Sequence, residues 1–288
     1  MNIFELLESS PATWLILSGL VGLLIGSFLN VVISRLPRMM EASWKQECAL
    51  LLDVEQSAQD TLTLSHPRSH CPQCKTPIRA WQNIPVISFL LLRGRCNHCA
   101  NPIPWQYPLV EIAAGLIALW AAYHFGYGWQ AATAMLLGWS LIALTVIDAR
   151  TQLLPDAIVL PLLWLGLLVN LFEVFVPIEQ AVAGAMAGYL SLWLVYHAFK
   201  LLTGKEGMGF GDFKLFAALG AWMGWQQLPW IILASSAVGA TIGIALMATK
   251  RLQQGQPMPF GPYLAIAGWL AFLYGQDFAV WYFDKMAA

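Results

Sequence analysis

Apolar residues gather along the 288 positions into eight runs, separated by short polar breaks and one long one. The runs fall at about 13–33, 107–125, 129–147, 157–176, 181–199, 212–225, 228–249 and 259–283. About 20 apolar residues of helix cross the hydrocarbon core of a bilayer, and irregular backbone does not survive there. The pattern therefore predicts an all-α polytopic membrane protein with about eight transmembrane helices. The sixth run is short and opens on Asp212 and Lys214, which predicts a tilted, broken or only partly embedded segment. Residues 1–12 carry Glu5 and Glu8 but no Lys or Arg, so the first run reads as a retained helix rather than a signal peptide. Three parts are expected: a first transmembrane helix over 1–33, a loop domain over 34–106, and a seven-helix membrane-embedded domain over 107–288.

Basic residues orient the runs. Arg35, Arg38, Lys45, Arg68, Lys75, Arg79, Arg93 and Arg95 lie between the first two. Arg150, Lys200, Lys205, Lys214, Lys250 and Arg251 fall on the same side if all eight runs span, and only Lys285 falls on the other. Fourteen of fifteen basic residues on one side place those loops, with the 34–106 domain, in the cytoplasm and both termini outside it. Composition agrees with a membrane protein: 58% of residues are hydrophobic and 11% charged, against about 25% charged in soluble domains. The formal net charge is −1, which predicts no nucleic-acid partner. Disorder, a coiled coil and a secreted disulfide scaffold are excluded on the same composition.

The loop contains Cys71-Pro-Gln-Cys74 and, 21 residues later, Cys96-Asn-His-Cys99. Two such knuckles supply the four thiolates of a tetrahedral structural zinc site, with no open position for catalysis. Buried free thiols or disulfides are the other readings, and a reducing cytoplasm disfavours the disulfides. His98 inside the second knuckle is a bystander on this reading, and Cys48 has no partner at ligand spacing.

Ionisable residues at membrane depth are costly and point to function. Glu111, His124, Asp148, Asp156, Glu173, His197, Asp212 and Asp277 lie within or at the ends of runs. His124, Glu173 and Asp277 lie near water, His197 suits a packing hydrogen bond, and Asp156 suits a helix N-cap. Asp148 closes the third run and Asp212 opens the sixth, both at the cytoplasmic boundary under eight-span topology. Gly207, Gly209 and Gly211 remove side-chain bulk next to Asp212, which leaves room for another backbone. No strand precedes them, so they are not a dinucleotide-binding loop. Two converging carboxylates can share a proton and perform aspartic-protease chemistry without a metal. Spacing equally allows Asp148 to pair with Arg150, and Asp212 to be an N-cap paired with Lys214.

In order along the chain stand Gly26-Ser-Phe-Leu-Asn30 with Arg35-Leu-Pro37, the two cysteine knuckles, and Tyr107-Pro-Leu-Val-Glu111. Asp148-Ala-Arg-Thr-Gln-Leu-Leu-Pro-Asp156, Gly209-Phe-Gly211-Asp212 with Lys214, and Pro259-Phe-Gly-Pro-Tyr263 follow. This ordered set resembles bacterial type IV prepilin peptidases, bifunctional leader peptidases and N-methyltransferases of type IV pilus and type II secretion systems. The resemblance runs along almost the whole chain. It implies an intramembrane aspartic protease of the GxGD class with Asp148 and Asp212 as the catalytic pair. It implies prepilin and pseudopilin substrates, cut after a glycine at the cytoplasmic face of the bacterial inner membrane. It also implies methylation of the new N-terminus with S-adenosylmethionine, an activity tied in the family to the cytoplasmic loop. No donor pocket is recognisable in the sequence. Lys205, Glu206 and Lys214 suit either leader binding or a solvated boundary. Rival functions are a proton-coupled transporter with Asp148 and Asp212 as relay carboxylates, a secretion-system scaffold, and a peptidase without methyl transfer.

Overall fold

A computed structural model describes residues 7–53, 62–250 and 258–287. Glu5 and Arg251 lie outside the described residues, as do 1–6 of the first expected part and 54–61 of the loop. Each of the eight apolar runs lies on a helix. These are α1 (Pro11–Leu51), α3 (Gln106–Phe125), α4 (Trp129–Thr151), α5 (Asp156–Leu171), α6 (Ile178–Thr203), α7 (Phe210–Met223), α8 (Leu228–Ala248) and α9 (Gly261–Ala287). A short α2 (Ile87–Leu91) lies in the loop, and no strand occurs among the described residues. Among the described residues, five helical segments are long and apolar enough to cross a membrane: α1, α3, α4, α6 and Trp225–Ala248. The chain is thus a multi-pass membrane protein. Helix α5 is apolar but shorter.

The first helix passes through the boundary expected at 33. Ser10 caps it through Thr13, Pro11 sits at its start, and it continues for 41 residues. At 1.5 Å per residue that is about 60 Å, roughly twice the hydrocarbon thickness. Its second half is rich in good helix formers and has no glycine, and Glu41 and Lys45 pair across one turn at 2.7 Å.

Two compact units divide the chain, Met1–Ala143 and Leu144–Ala288, with the division inside α4. In the first unit α1 packs on α3 through glycines. A methyl group at Gly22 would come within 2.7 Å of Ala114 O and Ala118 Cβ, and one at Gly26 within 2.6 Å of Glu111 Cα. Such backbone contact is how membrane helices associate where apolar burial alone gives no preference over lipid. Trp139 of α4 donates its indole N–H to Ala114 O at 3.0 Å.

The second unit is built around α7. Nearly every residue from Asp212 to Met223 is buried, so this 14-residue helix is covered on all sides. Gly184 and Gly188 of α6 admit the backbone of Gly220 and Phe216, Gly166 of α5 admits the Trp222 ring, and Gly268 of α9 admits Leu219. Buried Asn170 donates to Ala221 O and Trp222 O at 2.8 and 3.2 Å, answering carbonyls that the end of α7 leaves open. Its Oδ1 accepts the N–H groups of Phe175 and Val176. The shortness that made the sixth run ambiguous belongs to a central helix gripped by its neighbours.

Candidate active site and metal centre

Asp148 lies in the last turn of α4 and is 5% exposed. The N–H of Gly261, the first residue of α9, donates to its Oδ2 at 3.0 Å. This N–H has no partner within its own helix, and a helix N-terminus favours an anion. The approach requires glycine: a methyl group at 261 would lie 2.7 Å from Asp148 Oδ2 and 3.2 Å from Leu154 Cδ2.

Asp212 is the third residue of α7 and is 8% exposed. Gly209 takes the N-cap position, so Asp212 is not the cap. Its Oδ1 is buried and has no hydrogen-bond partner among the described residues. Leu154 joins the two places, touching the positions of both Gly211 and Gly261. The structure therefore brings together two carboxylates 64 positions apart in the sequence.

Local pairing does not account for them. Among the described residues, neither aspartate is in an ion pair. Lys214 instead pairs with Asp156, at 2.8 Å to Oδ1 and 2.7 Å to Oδ2. Asp156 is thus the first residue of α5, with Pro155 at the N-cap position, and serves as an ion-pair partner rather than a cap. Glu206 pairs with Lys200 at 2.8 Å, and Lys205 is exposed. His197 Nδ1 donates to Trp193 O, 2.9 Å away and one turn back on its own helix, as expected of a packing histidine. The three glycines also differ from a uniformly open track. Phe199 covers Gly207, Leu154 covers Gly211, and the position at Gly209 meets only Asp212 Oδ2, at 3.8 Å.

In the other unit the four loop cysteines converge, with all four sulfurs within 4.8 Å of one another. Cys71 and Cys99 sulfurs lie 3.8 Å apart, and those of Cys74 and Cys96 lie 4.0 Å apart. Four sulfurs about 2.3 Å from a central ion form a tetrahedron with edges of about 3.8 Å, so the cluster could hold a metal ion. The knuckles repeat each other at an offset of 25 residues. Cys71 N donates to Thr76 O and Cys96 N to Asn101 O; Ile78 N donates to Ser69 O and Ile103 N to Gly94 O. Lys75 and Ala100 adopt φ of 59° and 57° at matching places. This local repeat is visible in the sequence as Cys-x-x-Cys-x-x-Pro-Ile at 71–78 and 96–103. Thr76, through its side chain and then its backbone, pulls the Cys74 thiol down to about 6. The N–H groups of Cys99 and His98 pull Cys96 down. Cys99 goes up to about 11: the Asn101 backbone favours its thiolate, but desolvation and the other three sulfurs outweigh it. Crowded thiolates of this kind are what a cation relieves.

A cavity of about 640 Å³ adjoins the second knuckle, lined by Phe89, Arg93, Arg95 and Trp105 among others. The Phe89 and Trp105 rings stand 5.0 Å apart. Beside this loop is a residue to which sequence reasoning gave no role. Glu111 of α3 is 8% exposed and accepts the Val86 N–H at 2.7 Å. Its signal was a carboxylate inside an apolar run.

Comparison with known proteins matches both units. Residues 20–125 match the bacterial peptidase A24 N-terminal domain, and 135–244 match the type IV leader peptidase family. The prepilin leader peptidase/N-methyltransferase of Stutzerimonas stutzeri is 52% identical over 283 residues, covering 98% of each chain. Proteins of the same name from Pseudomonas aeruginosa and Neisseria gonorrhoeae are 52% and 49% identical, covering 96% and 89% of each chain. No solved structure is a significant match.

Proposed function

We propose a two-step activity for this protein from the premise that the chain belongs to the type IV leader peptidase family. It removes the leader from type IV prepilins and pseudopilins after a glycine, then methylates the new N-terminus with S-adenosylmethionine as donor. The observation carrying the first step is the pair of buried carboxylates, Asp148 and Asp212, with no cation on either among the described residues.

Close carboxylates in a site of low dielectric share one proton. The ionised one takes a proton from water as its oxygen attacks the scissile carbonyl, and the protonated one donates to the carbonyl oxygen. The carbon–nitrogen bond then breaks, and the amine leaves with a proton. The Gly261 N–H holds Asp148 in place throughout, and Asp212 Oδ1, buried without a partner among the described residues, is the oxygen left to bind water or the scissile carbonyl. The substrate's apolar helix lies in the bilayer while its basic leader stays in the cytoplasm. This matches a topology with the aspartates and the cysteine loop cytoplasmic and both termini periplasmic.

Methyl transfer belongs to the N-terminal unit on this reading. Cys71, Cys74, Cys96 and Cys99 hold a structural Zn²⁺, which ties the two knuckles into one rigid loop. The adjoining cavity has the size of a nucleoside site, with an aromatic pair for a base and two arginines for a carboxylate.

The test is incubation of detergent-purified protein with a prepilin and labelled donor, locating cut and label by mass spectrometry. Asp148→Asn and Asp212→Asn should each abolish cleavage and leave helical content intact. Folded wild-type protein that leaves the prepilin uncut would overturn the peptidase reading. Proton-gradient-driven transport in its place would favour the relay-carboxylate alternative.

A further inference from the structure

Glu111 is a carboxyl group on an apolar helix, facing the glycine stripe of α1, with no cation paired to it among the described residues. A methyl group at Gly26 would strike its Cα, so α1 passes directly over it. The influences on its carboxyl are burial, the Val86 N–H and the Ser27 side chain. Neither of those two partners is charged. Among the described residues it is in no ion pair. The charged side chain next along α1 is Arg35, whose guanidinium is spent on the carbonyls of Thr63, Leu64 and Pro67. From α4, Trp139 reaches α3 with an uncharged indole.

A structural role needs no carboxylate here, since a neutral amide would accept the Val86 N–H as well. The arrangement is also costly. Val86 sits at φ 59°, ψ −48°, a strained conformation for a β-branched residue. Strain of about 1–3 kcal/mol persists only where the surroundings impose it, and it gathers at functional sites. A second polar group in the same helix junction is unanswered. Gln106 Nε2 donates to Asn30 Oδ1, and Asn30 Nδ2 to Tyr107 O and Gly26 O, but Gln106 Oε1 is buried without a partner among the described residues. A buried carboxyl group with no cation among the described residues, beside an open acceptor, suits a guest that is cationic and donates hydrogen bonds.

We propose that Glu111 receives the α-ammonium of the processed substrate and acts as the base for its methylation. The inference rests on the methyl-transfer half of the function proposed above. An ammonium has no lone pair and cannot attack. Glu111 takes one proton from it, the freed nitrogen pair attacks the donor methyl carbon, and the methyl–sulfur bond breaks with its electrons going to sulfur. The product is an N-methylammonium and a neutral thioether, and Glu111 returns its proton to water.

The test compares full-length wild type with Glu111→Gln and Glu111→Asp on a prepilin and labelled S-adenosylmethionine, from about pH 6 to about pH 9. Cleavage and metal content should stay near wild type in both variants. Methylation in Glu111→Gln should fall about 100-fold at neutral pH with the donor KM unchanged, and Glu111→Asp should recover part of the loss. Methylation in Glu111→Gln should then rise about tenfold per pH unit until the α-amine deprotonates by itself, near pH 8, while wild type stays flat. Wild-type methylation in Glu111→Gln would overturn the proposal. So would an equal loss at every pH, a loss accompanied by departure of the metal, or a change confined to the donor KM. If wild type cuts but never methylates, the underlying methyl-transfer reading fails, and this role fails with it.

Discussion

Lys214 pairs with Asp156 on another helix and leaves Asp212, two residues away on its own helix, without a cation among the described residues. On the proposed mechanism, that choice of partner separates a structural charge from a chemical one. A lysine on Asp212 would hold it ionised and make proton sharing with Asp148 unfavourable.

Asp156→Asn tests the separation. The pair is partly exposed, with side-chain exposures of 30% for Lys214 and 53% for Asp156, so its loss should cost at most about 1 kcal/mol. Thermal unfolding in detergent should shift by a few degrees or less, with cleavage kept within a few-fold. Asp212→Asn in the same assay should lose about 1,000-fold or more. Equal losses from the two changes would mean that the chemistry has been assigned to the wrong carboxylate.

Gly261→Ala should damage the site without touching its charges. The added methyl lies 2.7 Å from Asp148 Oδ2, so either the carboxylate or the start of α9 must move. A shift of about 1 Å in a reacting group can cost about 100-fold, and cleavage should fall by that order while the fold survives. Full activity in this variant would show that the Gly261 contact is dispensable.

The cysteine cluster should bind one zinc per chain, seen by elemental analysis of protein purified without added metal. Cys96→Ser should lose it. Because the metal binds thiolates, acid should release it: binding holds at neutral pH and falls away as protons compete for the sulfurs. Cys74, drawn down to about 6, resists protonation better than Cys99, pushed up to about 11. Retention of zinc by Cys96→Ser would break the four-sulfur assignment.

Gly220→Ala should destabilise the second unit. A methyl there meets the Gly184 backbone, and a backbone cannot swing aside as a side chain can. Overpacking at such a crossing costs about 1–3 kcal/mol, readable as a lower unfolding temperature. Gly209→Ala, whose methyl meets nothing closer than 3.8 Å, is the matched control and should unfold close to wild type.

Helix positions were largely legible because solvent sorts residues locally. A run of apolar side chains marks a segment whichever neighbours it later finds, and all eight runs became helices. The knuckles were legible for a related reason, since each contributes two sulfurs from four consecutive residues. The end of α1 was less so: residues 34–51 are polar enough to leave the membrane, and apart from Pro37, which the helix accommodates, most are good helix formers. Asp156 was misread because an aspartate at a helix start has a sufficient local explanation, and its actual partner lies 58 residues away.

By itself the amino-acid order determined the apolar segments, the cysteine spacing and which carboxylates stand at the ends or in the interior of those segments. Each depends on residues a few positions apart, in contact with water, lipid or a shared ion. Tertiary structure decided which carboxylates lack a cation, that Gly261 touches Asp148, and that Val86 is bent onto Glu111. Such pairings depend on how closely helices approach, which is set by glycine contacts between segments far apart along the chain.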